Sequence, residues 1–232
     1  MSQKPDILQE QIAYYRARAA EYDEWFYRQG RYNQGEEENQ RWFTETEQVR
    51  QQLLQLPKQQ HALEIACGTG IWTQELLHVA EHITALDAAP EMIAINKAKV
   101  QSERVAYQQV DIFEWQPTQQ YDMVFFGFWL SHVPNSKLDA FLATVAKALK
   151  PDGIVFIVDG QNTKQITAHN QQHPENGEVM QRVLNDGRHY DIIKIYYAPS
   201  YLDEAFAKRG INFATKFTDK YMLYGSGVKQ EG

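Results

Sequence analysis

Residues 63–70 read LEIACGTG and decide the fold that we expect for this chain. The apolar run up to Ala66 predicts a short strand, and a helix-like pattern begins just after Gly70. The glycines Gly68 and Gly70 predict a tight turn in which the backbone approaches a ligand closely. Their spacing is E-x-A-x-G-x-G and lacks the G-x-G-x-x-G fingerprint of dinucleotide-binding proteins.

Strand and helix patterns alternate beyond this turn. Strands are predicted at 62–66, 82–86, 105–110, 121–127 and 154–158, and helices at 72–79, 90–100 and 136–149, the last capped by Asn135. This alternation predicts an α/β fold with a Rossmann-like, doubly wound and mostly parallel sheet. After Asp159 the alternation stops. A polar insert, an extended segment at 190–197 and a helix at 199–209 follow, and the final strands at 211–217 and 221–224 are expected to form an antiparallel pair.

Two helices are predicted ahead of the sheet. Apolar and aromatic residues recur every three to four positions over 6–28, and a second helix begins at the acidic run 36–38 and ends before Pro57. We expect them to form a helical cap. The whole chain, 1–232, is then one domain, with the cap at 1–57, the first half of the sheet at 61–159, and an insert with the C-terminal hairpin at 160–232.

Composition excludes several classes of protein. Thirty acidic residues against 23 basic ones give a net charge of −7, which disfavours a nucleic-acid partner and agrees better with a neutral or cationic small-molecule substrate than with a polyanion. The single cysteine, Cys67, cannot form an intrachain disulfide, and this favours a reducing, cytoplasmic location. No apolar stretch reaches the length of a membrane span. The oligomeric state stays open.

Two acidic residues follow the next two predicted strands. Asp87 comes at the end of the second strand, 17 positions after Gly70, where a carboxylate can accept both hydroxyls of a ribose. Asp111 follows the third strand. Because parallel strands share one carboxyl edge, both acids are expected beside the glycine turn.

These features together resemble the class I S-adenosylmethionine-dependent methyltransferases of the small-molecule branch. The matching stretches are LEIACGTG, LDAAPEM, VDIFEW, YDMVFFGFWLSHVP and LKPDG, in that order. One departure is Ala66, which stands where the family usually has its first glycine. The resemblance implies that the chain is an enzyme and that S-adenosylmethionine is its cofactor.

The family pattern assigns roles by position. The cofactor-binding residues that it implies are Tyr14, Tyr22, Glu64, Ala66, Gly68, Gly70, Trp72, Asp87, Ala88, Met92, Asp111, Ile112 and Phe126. Asp87 would bind the ribose, Asp111 the adenine amino group, and Phe126 and Gly127 would lie near the sulfonium. Substrate contacts are expected from the first helix, the end of the fourth strand and the insert, namely from Tyr15, Phe128, Trp129, Arg188 and Tyr190.

Histidines suggest two further sites. His132 follows the fourth strand and is a candidate catalytic base for a substrate hydroxyl or ammonium, although a histidine that caps the next element explains the same position. His169 and His173 have the spacing of metal ligands on a helix, but no carboxylate pattern completes the set. We therefore expect no metal.

The function predicted from the sequence is methyl transfer to an O or N atom of a small molecule by direct in-line displacement. A non-catalytic module that binds S-adenosylmethionine is the first alternative, because a fold does not guarantee turnover. An NAD(P)-dependent oxidoreductase is the second, although the glycine spacing argues against it.

Overall fold

The computed structural model describes residues 6–168 and 177–231. The helices are α1 (Ile7–Arg18), α2 (Tyr22–Phe26), α3 (Glu36–Leu54), α4 (Ile71–Leu76), α5 (Pro90–Val100), α6 (Asn135–Ala148) and α7 (Pro199–Ala207). The strands are β1 (Gln59–Ile65), β2 (Ala80–Asp87), β3 (Val105–Gln109), β4 (Tyr121–Gly127), β5 (Leu149–Gly160), β6 (Val179–Val183), β7 (His189–Ile193), β8 (Ile211–Phe217) and β9 (Met222–Lys229). His169 and His173 lie outside the described residues.

Seven strands form the main sheet, in the order β3-β2-β1-β4-β5-β9-β8. The first five of these are parallel, whereas β9 runs antiparallel to both β5 and β8. The predicted fold class and the C-terminal antiparallel pair are therefore confirmed. Strands β6 and β7 form a separate antiparallel hairpin inside the polar insert, the β6–β7 hairpin.

The central strand β4 divides the core into two layers. Its apolar side chains alternate between the two faces of the sheet, as the period of a strand requires. Phe125 packs toward Trp72 and the N-terminal helices, whereas Phe126 packs on the opposite face against Phe141 of α6. Helices therefore cover both faces, as expected for a sheet whose central strands are parallel.

The prediction of one continuous helix over 6–28 is wrong in the middle of that range. The chain passes through a short 3-10 turn at Ala19–Glu21, and α2 begins after it. This break lets Trp25 enter the core, where its indole nitrogen donates to the carbonyl of Ile166 and its ring meets Phe128 edge-on. Sequence periodicity is insensitive to such a turn because the apolar spacing continues through it.

Three smaller expectations also need correction. Asn135 is the first residue of α6 and does not cap it; Pro134 precedes the helix, and the Asn135 amide donates to Glu178 instead. Helix α4 is shorter than predicted, because a tight turn after Leu76 leads directly into β2. Strand β5 begins at Leu149, ahead of the strand predicted at 154–158, because residues 150–153 form a bulge within it, with Asp152 in a left-handed conformation.

Helix α1 is fastened to the β6–β7 hairpin. The Gln11 side chain accepts from the backbone N–H of Ile193 and donates to the carbonyl of His132. The Glu10 carboxylate accepts from the N–H of Asp191. These contacts hold the N-terminal helix and the insert over the edge where the parallel strands end.

Among residues 6–168 and 177–231, no helix is long and apolar enough to cross a membrane. The same part of the chain contains no cluster of three or more His, Cys, Asp or Glu side chains that is arranged to hold a metal ion.

Candidate active site

The glycine-rich turn after β1 is held in left-handed backbone conformations. The φ angles are +55° at Ala66, +50° at Gly68 and +89° at Gly70. A Cβ on Gly70 would lie 2.6 Å from Oδ1 of Asn96, so this glycine is required for the packing of α4 on α5. A Cβ on Gly68 would meet no atom within 4 Å, and Gly68 lines the cavity described below.

Asp87 ties the turn to the end of β2. One of its carboxylate oxygens accepts from the N–H of Gly68 and the other from the N–H of Ala89, both at 2.9 Å. Burial raises the pKa of Asp87 to about 6, although the backbone donors lower it in part. The remaining lone pairs of the carboxylate are left for a ligand in the cavity, such as the hydroxyls of a ribose.

A cavity of about 770 Å³ opens beside these residues, and we call it the cofactor cavity. It lies at the carboxyl edge of β1, β2, β3 and β4, where doubly wound sheets bind their ligands. Asp111 lines it while one of its carboxylate oxygens accepts from the N–H of Phe113 at 3.0 Å. Apolar side chains form most of the remaining wall: Leu8, Ile12, Leu86, Met92, Val110, Ile112 and Phe113.

A second cavity of about 510 Å³ adjoins the first, and we call it the acceptor cavity. The two share Tyr15, Tyr22, Phe128 and His132. The other residues that line the acceptor cavity are Tyr14, Arg18, Trp25, Tyr32, Ile166, Thr167, Arg182, Ile192 and Lys194. Phe128 stands in the left-handed region with φ at +53°, an uncommon conformation for a bulky residue and one that is often found at functional sites.

The hydrogen bonds of His132 fix its tautomer. Nδ1 lies 2.6 Å from the carbonyl oxygen of Ile193, which only accepts, so Nδ1 carries the proton. Nε2 then accepts from the hydroxyl of Tyr15 at 2.8 Å. Burial, followed by the nearby Lys194 cation, lowers the pKa of His132 well below its usual value, so the ring is neutral at physiological pH.

Glu64 lies beneath the glycine turn and is almost fully buried. Its carboxylate accepts from the hydroxyl of Thr73 at 2.7 Å, and Asn96 donates to that same hydroxyl oxygen. Burial raises the pKa of Glu64 to about 8, with a smaller opposing effect from the Thr73 hydrogen bond. Glu64 is therefore largely protonated at neutral pH and connects the turn to α4.

The structure brings most of the predicted site residues to these cavities. The predicted cofactor residues that line the cofactor cavity are Tyr22, Ala66, Gly68, Asp87, Ala88, Met92, Asp111 and Ile112. Of the predicted substrate residues, Tyr15 and Phe128 line both cavities and Trp129 lines the cofactor cavity. Glu64 and Trp72 line a smaller adjoining cavity of about 330 Å³.

Other predicted residues lie elsewhere. Tyr14 lines the acceptor cavity. Phe126 is buried in the core on the α6 face, whereas Gly127, which was expected beside it near the sulfonium, lines the cofactor cavity. Gly70 contacts α5 through the packing described above. Arg188 lies at the exposed end of the hairpin, paired with Asp186, and Tyr190 packs against Tyr14 without lining either cavity.

Sequence reasoning missed the three cations that line the acceptor cavity: Arg18, Arg182 and Lys194. Arg18 follows the tyrosine pair of α1 by one turn, so helical spacing places it on the same face as Tyr14 and Tyr15. Lys194 and Arg182 gave no such signal, because only the pairing of the β6–β7 hairpin brings them to the cavity.

Several known proteins that are similar to this chain are named as methyltransferases. Residues 62–153 match a family model described as a methyltransferase domain. The solved complex of DhpI with SAM and HEP is 31% identical, with a TM-score of 0.79 over 97% of this chain and 99% of that one. The DhpI–SAH complex is 30% identical, with a TM-score of 0.76 over 99% of this chain and 100% of that one.

A curated relative is similar to part of this chain. A demethylmenaquinone methyltransferase from Bacillus licheniformis is 32% identical over 117 residues, which cover 47% of this chain and 48% of the relative. The chain thus spans about half the length of the curated relative that it matches.

The doubly wound sheet and the cavity beside its glycine turn form a ligand site of the kind that binds a nucleotide-type cofactor. With the full-length similarity to DhpI, they show that this chain belongs to the S-adenosylmethionine-dependent methyltransferases. S-adenosylmethionine is the cofactor of this family. The described residues fit it, because two carboxylates at the strand ends face a cavity whose other walls are mainly apolar.

Glu64→Gln tests the protonation of the buried acid. Glu64 binds a proton in the folded protein up to about pH 8, whereas its ordinary pKa is 4.5, so its contribution to stability is lost as the pH rises between these values. Glutamine keeps an acceptor for Thr73 and does not titrate. We expect the stability of the variant relative to the wild type to increase with pH by on the order of 3 kcal/mol between pH 5 and 8.

Urea unfolding of both proteins at several pH values measures this difference. A difference that stays constant across the range would show that Glu64 is ionised in the folded protein at all of these pH values.

Proposed function

We propose that this chain transfers a methyl group from S-adenosylmethionine to an O or N atom of a small-molecule acceptor by direct in-line displacement. The observation that carries the proposal is the junction of the two cavities at Tyr15, Tyr22, Phe128 and His132. A cofactor in one cavity and an acceptor in the other would meet there. We also propose that the chain is a single domain in which residues 1–57 form a cap over this junction.

The electrophile comes with the cofactor. When bound, S-adenosylmethionine supplies a methyl group on a positively charged sulfur, which keeps the bonding electron pair as the acceptor lone pair takes the methyl. The protein therefore has to hold the acceptor in line and exclude water. Positioning of this kind can contribute about 7–11 kcal/mol to lowering the barrier.

Different residues of the chain would bind the cofactor and exclude water. Asp87 and Asp111 would accept hydrogen bonds from the nucleoside part, and Gly68 would let the backbone approach the amino-acid part. The apolar ring of Phe128, held edge-on by Trp25 at 4.7 Å between ring centroids, would shield the junction from water.

An acceptor that carries a proton needs a base, and the His132–Tyr15 pair is placed for that role. We propose that Nε2 of His132 takes the acceptor's proton, either directly when the acceptor displaces Tyr15 or through the Tyr15 hydroxyl. The imidazole is suited to this because its Nδ1–H stays bonded to the Ile193 carbonyl while Nε2 remains an acceptor.

The named relatives support a small acceptor. DhpI was solved with SAM together with HEP, and the Bacillus licheniformis relative is named for methylating demethylmenaquinone. These names differ from each other, so they support the class of reaction and leave the acceptor of this chain to be found.

Asp87→Asn tests the cofactor cavity. We expect the wild type to bind S-adenosylhomocysteine in isothermal titration calorimetry and to show no heat with NAD. The amide has one acceptor oxygen where the carboxylate has two, so the variant should bind S-adenosylhomocysteine roughly 10–100-fold more weakly. Asp186→Asn is the matched control, because Asp186 lies in an exposed turn of the hairpin and pairs with Arg188.

Binding of NAD in place of S-adenosylhomocysteine would overturn the proposal. Binding of S-adenosylhomocysteine by a protein that transfers no methyl group to any compound of a metabolite panel would favour the non-catalytic module.

His132→Asn tests the base. The asparagine amide can still donate to the Ile193 carbonyl, but the Nε2 acceptor is lost. We expect kcat to fall about 10²–10⁴-fold while the affinity for S-adenosylhomocysteine changes little. Because the pKa of His132 is held low, the wild-type rate should be level from neutral pH upward and fall only in acid.

Tyr15→Phe separates the two routes for the proton, since it slows the reaction only if the hydroxyl relays it. An unchanged kcat and pH profile in His132→Asn would exclude His132 as the base.

A further inference from the structure

The acceptor cavity is positively charged. The charged residues among its described lining are Arg18, Arg182 and Lys194, and that lining contains no carboxylate. The whole chain carries a net charge of −7, so the charge of this cavity is opposite to that of the protein. A cationic acceptor, which the overall charge weakly favours, would be repelled here.

Arg18 is a buried cation at this cavity. Its side chain is only 7% exposed, and no described carboxylate forms an ion pair with it. Its guanidinium lies 4.9 Å from the ring centroid of Tyr22, 5.6 Å from that of Tyr14 and 5.8 Å from that of Tyr32. Aromatic faces attract a cation without neutralising it, so the positive charge of Arg18 persists in the cavity.

Arg18 also keeps unused hydrogen-bonding capacity. One terminal nitrogen donates to the hydroxyl of Tyr32 at 3.3 Å, but Nε has no partner among the described residues. The hydroxyl of Tyr14, fully buried beside it, likewise has none there. Both groups are donors at the cavity wall, so they are available to a ligand that enters the cavity.

Lys194 is a second buried cation at the same cavity. Its ammonium donates to the Ser131 hydroxyl at 2.7 Å and lies 3.6 Å from a carboxylate oxygen of Asp159. Burial lowers the pKa of Lys194, and the neighbouring Arg182 and Arg18 lower it further despite Asp159. The pKa of His132 is lowered by burial first and then by these same three cations. Lys194 and His132, which lie on separate segments of the chain, are thus both exposed to the positive charge of this cavity.

We infer that the methyl acceptor carries an oxyanion, a carboxylate or a phosphoryl group, which binds in the acceptor cavity against Arg18 and Lys194. Nε of Arg18 and a terminal nitrogen form the planar fork that such oxygens accept from. The Tyr14 hydroxyl supplies a further donor. The inference rests on the proposed function, because it assigns an acceptor class to the cavity beside the cofactor.

Simple anions test this assignment on the protein saturated with S-adenosylhomocysteine. The probes are inorganic phosphate and acetate, with potassium chloride at equal ionic strength as the reference, and the readout is the shift in Tm. We expect phosphate or acetate near ten times its Kd to raise Tm by about 3–6 °C above chloride. A larger shift with phosphate indicates a phosphoryl acceptor, and a larger shift with acetate indicates a carboxylate.

Arg18→Met should abolish this shift, whereas Arg18→Lys should keep part of it. Arg16→Met is the matched control, because Arg16 lies on the same helix but points to the surface and pairs with Glu91. It should behave as the wild type. Calorimetry with S-adenosylhomocysteine shows whether each variant has folded with an intact cofactor cavity.

Two results overturn the inference. One is a wild type that binds S-adenosylhomocysteine while neither anion exceeds chloride, and this result decides the matter even if Arg18→Met fails to fold. The other is a shift of the same size in a folded Arg18→Met. Failure of the wild type to bind S-adenosylhomocysteine would instead contradict the proposed function.

Discussion

The two hydrogen bonds of Gln11 are the contact on which the site depends. Its amide joins α1 to the backbone of β7 and to the carbonyl of His132, so three segments that are distant in sequence meet over the carboxyl edge of the sheet. Without that junction the sheet would still hold the glycine turn and Asp87, but the acceptor cavity would lose its walls. Buried side chain to backbone bonds of this kind are costly to leave unmade, which favours one arrangement of these segments.

Burial sets the charges within this junction. Glu64 lies in apolar surroundings beneath the turn, where its pKa of about 8 keeps it largely protonated. Asp87 is buried as well, but two backbone N–H donors hold its pKa near 6, so it stays mainly ionised at neutral pH. On the acceptor side, tyrosine rings surround the guanidinium of Arg18 and leave its charge in place. The net negative charge of the chain lies mainly on its surface and does not predict the sign of the charge in the cavity.

The sequence predicted the sheet well, and it predicted which residues come together at the cofactor cavity, because both depend on local patterns. The turn at Gly68 and the acids Asp87 and Asp111 each follow a strand, and parallel strands place such residues at one edge. The acceptor side depends on contacts between distant segments, so Lys194 could not be assigned from its neighbours in sequence. Phe128 follows β4 with a positive φ and lines both cavities, whereas Phe126, two positions earlier, packs on the α6 face. The periodic pattern did not predict the turn at Ala19–Glu21 either, because this turn goes with a tertiary contact, the packing of Trp25 against Ile166.

A cofactor cavity and a cationic acceptor cavity meet at Tyr15 and His132. A crystal structure of the protein with S-adenosylhomocysteine and phosphate would test this arrangement directly. We expect the ribose hydroxyls to contact Asp87 and the phosphate to lie about 3 Å from nitrogen atoms of Arg18, on the sulfur side of the cofactor. A cofactor bound away from Asp87, or an acceptor cavity that stays free of the anion, would contradict it.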